Sequence, residues 1–246
     1  MTPNPPIEDA DVHIPTRDID IPAYQALPAA PGPFPIVLIA PEIFGVNEHI
    51  RSVARRFASE GYYAIAPDLF IRQGDVSKLT DSQEIQQIIA KVPDMQVMSD
   101  LTAAAEFASA SGRGNIERLL MTGFCWGGRI AWLYAAENSH LRAAVAWYGR
   151  LTAPLDALRE RHPLNITDDL KCPVLGLYGG QDKSIPLEHV ERMRAEIARS
   201  QRNSNIHVYP DAGHAFFADY RPSYNAAAAE DGWQRLQRWF GQAIGR

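Results

Sequence analysis

The 246-residue chain is 46% hydrophobic and 22% charged, enough apolar material for one α/β domain, residues 1–246, with a large core. Its 24 Lys and Arg against 29 Asp and Glu give a net charge of −5, and the basic residues are scattered, which argues against a nucleic-acid partner. Two Cys are too few for a disulfide framework, and neither a basic, apolar leader nor an apolar run of about 18 residues is present, so a reducing cytoplasm and no membrane contact are expected.

In chain order, the Pro- and Asp-rich start carries short alternating pieces at Val12–Pro15 and Ile19–Tyr24 that read as edge strands of a sheet. Phe34–Ala40 reads as a fully buried parallel strand, with Pro35 tolerated only near its start. The next residues, Pro41 to Asn47, put Glu42 at the carboxyl end of that strand, where open α/β sheets bind ligands, with Phe44 a candidate substrate contact. Asn47 suits the N-cap of a helix through Ile50, Val53, Ala54 and Phe57, and Tyr62–Pro67 is the next strand. Residues 68–94 are irregular apart from a short helical piece at Ser82–Ala90. A connection of this length is usually functional or mobile. One reading makes it a flap bringing Phe70, Arg72 and Ile85 near a ligand; the other makes it a surface excursion. Val97, Leu101, Ala104 and Phe107 mark an amphipathic helix over Met95–Ala110.

The chain is organised around the stretch that follows. Arg118–Thr122 reads as a buried strand, Gly123-Phe-Cys-Trp-Gly-Gly128 as a sharp turn, and Arg129–Ala136 as a helix. This is the context of a nucleophile elbow, in which a strained turn lifts the central side chain, here Cys125, above the end of a sheet. The alternative is a structural Cys in a Gly-rich turn. Leu141–Tyr148, Cys172–Tyr178 and Asn205–Tyr209 read as further strands, and Pro186–Ser200 and Ala226–Ile244 as helices. Two strands run into reactive turns, Gly179-Gly-Gln-Asp182 and Pro210-Asp-Ala-Gly-His214. Nucleophile, acid, histidine is the chain order of the α/β-hydrolase triad. In that scheme His214 moves the thiol proton and Asp182 fixes the imidazole tautomer. The backbone N–H groups of Trp126 and Ile43 are the expected oxyanion donors. Trp126, Tyr148 and Phe216 are candidates for lining an acyl or ring pocket, or are plain core. Arg129 reads as a partner of Glu42 or as a surface residue. Cys172, before Pro173 at a strand entry, reads as structural. The other His residues show no paired spacing, so neither a metal nor a cofactor is expected.

The motifs Pro41-Glu-Ile-Phe-Gly45, Gly61-Tyr-Tyr-Ala-Ile-Ala-Pro-Asp-Leu69, Gly123–Gly128, Tyr178-Gly-Gly-Gln-Asp182 and Ala212-Gly-His-Ala-Phe216 together resemble the dienelactone hydrolases, over nearly the whole chain from residue 12. The resemblance implies an α/β-hydrolase fold with an eight-stranded, mostly parallel sheet and helices on both faces. It implies a cytoplasmic Cys–His–Asp hydrolase of small esters or lactones, carboxymethylenebutenolidase-like. It also implies that Glu42 contacts the resting thiol. The sequence leaves monomer and homodimer both open. Members of that family acting on dienelactone hold the substrate carboxylate with arginines, one in the flap region and one just past the catalytic histidine. Here Ala218 stands four residues after His214, and Arg72 and Arg221 lie out of register, so neutral esters and lactones are the expected substrates, with Arg72 the residue able to overturn this. The reading from a different class is a redox-reactive thiol protein on the same fold, without ester turnover.

Overall fold

The computed structural model describes residues 6–246. Its eight-stranded sheet runs in the order β1-β2-β4-β3-β5-β6-β7-β8. The strands are β1 (Ile7–Pro15), β2 (Asp20–Pro28), β3 (Phe34–Ala40), β4 (Tyr63–Pro67), β5 (Gly114–Phe124), β6 (Leu141–Trp147), β7 (Val174–Gly179) and β8 (Asn205–Tyr209). Six helices connect them: α1 (Glu48–Ser59), α2 (Ser82–Ile89), α3 (Asp94–Ala110), α4 (Trp126–Glu137), α5 (Leu187–Ser200) and α6 (Ala226–Ile244). The chain forms two compact units, one ending at Leu120 and one beginning at Met121.

In the first unit the sequence supplies an antiparallel hairpin, β1 on β2, which β4 continues antiparallel before pairing parallel with β3. Both hairpin strands run longer than the alternation suggests. The start of β1 is Glu8, Asp9, Ala10 and Asp11, all exposed, so no buried face marks it in the sequence. The Asn47 side chain accepts from the Ile50 N–H at 3.1 Å and caps α1, which buries Ile50, Val53, Ala54 and Phe57 as the periodicity requires. On its outer turns Arg51 pairs with Asp11 and lies 4.5 Å above the Tyr24 ring.

Residues 68–94 hold a 3-10 turn and α2, and they are pinned by buried Phe70, Val76, Ile85 and Ile89. Arg72 is central to that anchorage. Its guanidinium donates to Asp100 at 2.6 Å, to both carboxylate oxygens of Asp18 at 2.7 and 2.8 Å, and to Thr16 at 2.9 Å. A substrate anion at Arg72 would compete with two carboxylates already in place.

In the second unit β6, β7 and β8 are parallel, with Trp147 opposite Leu177 and Gly179 opposite Tyr209. Helix α4 is buried from Gly127 to Ala136, which matches a helix that is apolar nearly all round. Its Trp132 donates to Tyr178 Oη at 3.1 Å, so two large buried side chains satisfy each other. Thr122 does the same for the other indole. Its hydroxyl donates to the Val145 carbonyl at 3.2 Å and accepts from Trp147 Nε1 at 3.1 Å.

Replacing Thr122 by the near-isosteric Val keeps the volume and removes both bonds, which leaves Trp147 Nε1 buried without its acceptor. Thr122→Val is expected to lower unfolding stability by about 1–3 kcal/mol in urea titration, with little change in the slope against denaturant.

Candidate active site

Three groups from the second unit meet at the carboxyl ends of its strands. Cys125 follows β5 directly, with φ +54° and ψ −111°, a conformation L-residues rarely adopt. It is the first residue past the strand and its backbone opens α4, with Gly128 N–H and Arg129 N–H donating to its carbonyl. The turn is tight enough to dictate its neighbours. A Cβ on Gly123 would lie 2.0 Å from the Gly127 carbonyl oxygen, and one on Gly149 would lie 2.3 Å from the Gly128 carbonyl carbon. On the far side the Cys125 N–H donates to the Trp147 carbonyl at 3.0 Å, fixing the elbow to the end of β6.

His214 stands on the turn after β8, half-buried, with Nε2 3.2 Å from Cys125 Sγ and Nδ1 2.7 Å from Asp182 Oδ2. Asp182 is held from behind, its other oxygen accepting from the Ser184 and Ile185 N–H groups at 2.8 and 3.2 Å. The carboxylate side chain is 1% exposed. Burial alone lowers the imidazole pKa, but hydrogen bonds and charge interactions with Asp182 and Cys125 outweigh it and push His214 up to about 10. This linear arrangement can move a proton between sulfur and imidazole while the carboxylate fixes the ring.

Aromatic packing supports these positions. Phe124, just before Cys125, stacks on Trp147 and on Phe217, three residues after His214. Tyr148 presents its ring edge-to-face to His214 at 5.3 Å and to Phe216 at 5.2 Å. Tyr148 adopts φ +39°, a strained conformation that the sequence does not mark. Phe216 is fully buried among Trp147, Tyr148 and Tyr209. Trp126, the first residue of α4, is half-buried. A pair that sequence reasoning missed lies behind the elbow: buried Arg129 donates through Nε to His162 Nδ1 at 2.9 Å and through its terminal nitrogen to the Arg161 carbonyl. Its signal, a charged side chain on an apolar helix, is visible at position 129, but nothing in the sequence points to His162.

Glu42, Ile43, Phe44 and Arg72 belong to the first unit. Glu42 is 1% exposed and its carbonyl accepts from Gly45 N–H in the turn that follows β3, with Ile43 and Phe44 half-buried in that turn.

The profile of the Dienelactone hydrolase family matches residues 21–244. A protein of Methylorubrum extorquens, provisionally named carboxymethylenebutenolidase, is 55% identical over 233 residues, 94% of this chain and 80% of that one. One of Escherichia coli K12 under the same provisional name is 53% identical over 248 residues, covering 100% of this chain and 91% of its own. A crystal structure from Klebsiella pneumoniae, provisionally titled dienelactone hydrolase, superposes with a TM-score of 0.94 at 51% identity, over 96% of this chain and 99% of that one.

The raised His214 pKa makes the fold's stability pH-dependent. Protonated His214 stabilises the folded state fully below its unfolded value of 6.5, and that contribution is lost as pH rises towards about 10. Asp182→Asn removes the main partner. The Hε1 resonance of His214 is then expected to titrate well below its wild-type midpoint in NMR, and the stability difference between wild type and variant should shrink from pH 6 to pH 10, these being about the limits of the window.

Proposed function

The chain belongs to the dienelactone hydrolase family and is a hydrolase, and on that premise we propose that it cleaves carboxylic esters and lactones through Cys125 by way of an acyl-enzyme. The observation that carries this reading is the continuous contact from Cys125 Sγ through His214 to Asp182, at 3.2 and 2.7 Å.

When the sulfur attacks the carbonyl carbon, its proton resides on His214 Nε2. The developing oxyanion draws on the backbone N–H of Trp126, at the positive end of α4. Collapse of the tetrahedral adduct expels the alkoxide, which takes the proton from His214 and leaves a thioester on Cys125. In a lactone that alcohol stays tethered to the acyl group. Water, deprotonated by His214, then attacks the thioester, the thiol is regenerated and the carboxylic acid departs. Asp182 holds the ring orientation through both halves, and its two backbone donors keep the carboxylate from following the imidazole. Both cysteines are free, as expected in a reducing compartment such as the cytoplasm.

The redox alternative would need a second thiol to resolve an oxidised Cys125. Cys172 is 7% exposed, two residues ahead of β7, and burial pushes its pKa up to about 12. That side chain is a core group.

Cys125→Ala is expected to bring p-nitrophenyl ester turnover to near the uncatalysed rate while the fold persists by circular dichroism. Iodoacetamide should inactivate the wild type with alkylation at Cys125 well before Cys172, read by peptide mass mapping. Full activity in the alanine variant would rule out the acyl-enzyme.

A further inference from the structure

Beside the triad the second unit holds a cavity of about 500 Å³ that the chemistry above does not use. One wall is the segment from Arg150 to Pro154, which leaves the end of β6 just after Tyr148. The other runs from Lys183 to Pro186, with His189 of α5 behind it, and leaves the end of β7 just after Asp182. The cavity therefore opens on the sheet edge that carries the triad. Its walls are parts of the site's own framework. Ser184 and Ile185, which line it, hold Asp182 through their backbone N–H groups, and Gly149, which precedes Arg150, is packed backbone to backbone against the elbow helix. The loop carrying the first wall is closed by Leu164 N–H on the Leu151 carbonyl at 3.1 Å.

The lining has one sign of charge. Arg150 and Lys183 contribute two cations, and no carboxylate lines the cavity. Neither cation forms an ion pair among the described residues, in contrast to Arg72, Arg51 and Arg113, which each face a carboxylate. Thr152, Ser184 and the imidazole of His189 add neutral hydrogen-bonding groups, while Leu151 and Ile185 supply apolar surface. Two unneutralised cations with hydroxyl donors suit a dianion better than a single carboxylate, and the volume exceeds what a bare anion fills.

Building on the hydrolase reading, the geometry points to a subsite that receives a phosphate monoester group borne by the far end of the ester or lactone substrate. Arg150 offers its planar fork to two phosphate oxygens, and Lys183 a point charge to the third. The apolar wall covers the carbon chain leading back to the carbonyl at Cys125. Anchoring a remote group in this way holds the carbonyl over the sulfur.

The test is calorimetric binding of phenyl phosphate and of benzoate to the wild-type enzyme, to Arg150→Ala, to Arg150→Ala with Lys183→Ala, to Arg150→Lys, and to Arg142→Ala as an exposed arginine outside the cavity. Each charge-assisted contact is worth on the order of tenfold. Phenyl phosphate should bind the wild type with a saturable isotherm and at least tenfold more tightly than benzoate. The double variant should lose tenfold or more, Arg150→Lys should retain part of it, and Arg142→Ala should match the wild type. No saturable binding to the wild type, equal affinity for benzoate, or an equal loss in Arg142→Ala would overturn the subsite. The two readings fail separately: absence of Cys125-dependent turnover of p-nitrophenyl acetate overturns the hydrolase mechanism, and absence of phenyl phosphate binding with that turnover intact overturns the subsite alone.

Discussion

The backbone at Cys125 is forced into a positive φ, and the rest of the second unit is arranged to hold it there. Left to itself such a residue costs on the order of 1–3 kcal/mol, so the surroundings must over-determine it. They do so from three directions. The strand side is clamped by the Cys125 N–H on the Trp147 carbonyl, and the helix side by two N–H groups on the Cys125 carbonyl. Below, Phe124 stacks on both Trp147 and Phe217, whose rings meet each other at 4.4 Å, so that the residue before Cys125 and the segment after His214 share one aromatic platform. The strain lifts Sγ clear of the sheet, and the platform ties the histidine turn to the same reference.

That constraint propagates through glycine. The close approach of α4 to the end of β6 leaves no room for a Cβ at Gly128 or Gly149, which would meet backbone atoms at 2.4 and 2.3 Å. Because Gly149 must pass so close, Tyr148 has to turn sharply before it, and its positive φ sets its ring edge-on to His214. A packing requirement at Cys125 thus fixes an aromatic wall beside His214.

The strongest signals in the sequence are those with local causes. The strand, turn and helix around Cys125 follow from an apolar run meeting small residues, and the Asp182 and His214 turns follow from strand ends with Gly beside a polar group. Asn47 announces its helix because a cap is a matter of three residues. Features set by distant partners were not legible. Arg72 looked available for a ligand because its partners Asp18 and Asp100 lie 54 and 28 residues away. His162 meets Arg129 across 33 residues, from a loop with no periodicity to read. The outer half of β1 was hidden for another reason: an edge strand with both faces exposed has no alternation.

The same distinction bears on how substrate range can change in this fold. Gly123, Gly128, Gly149 and Gly179 sit where backbone approaches backbone, so substitution there disturbs the turns that carry Cys125 and its neighbours. The cavity residues Arg150 and Lys183 are exposed and lie one step beyond those contacts. On the proposed mechanism and subsite, chemistry and recognition fall on consecutive residues of the same two turns, Gly149 with Arg150 and Asp182 with Lys183. The first of each pair is fixed by packing or hydrogen bonds, and the second is open to replacement. A change in the charge of the distal group accepted would then need only the second residue of each pair, with the Sγ to Nε2 to Oδ2 contacts left as they are.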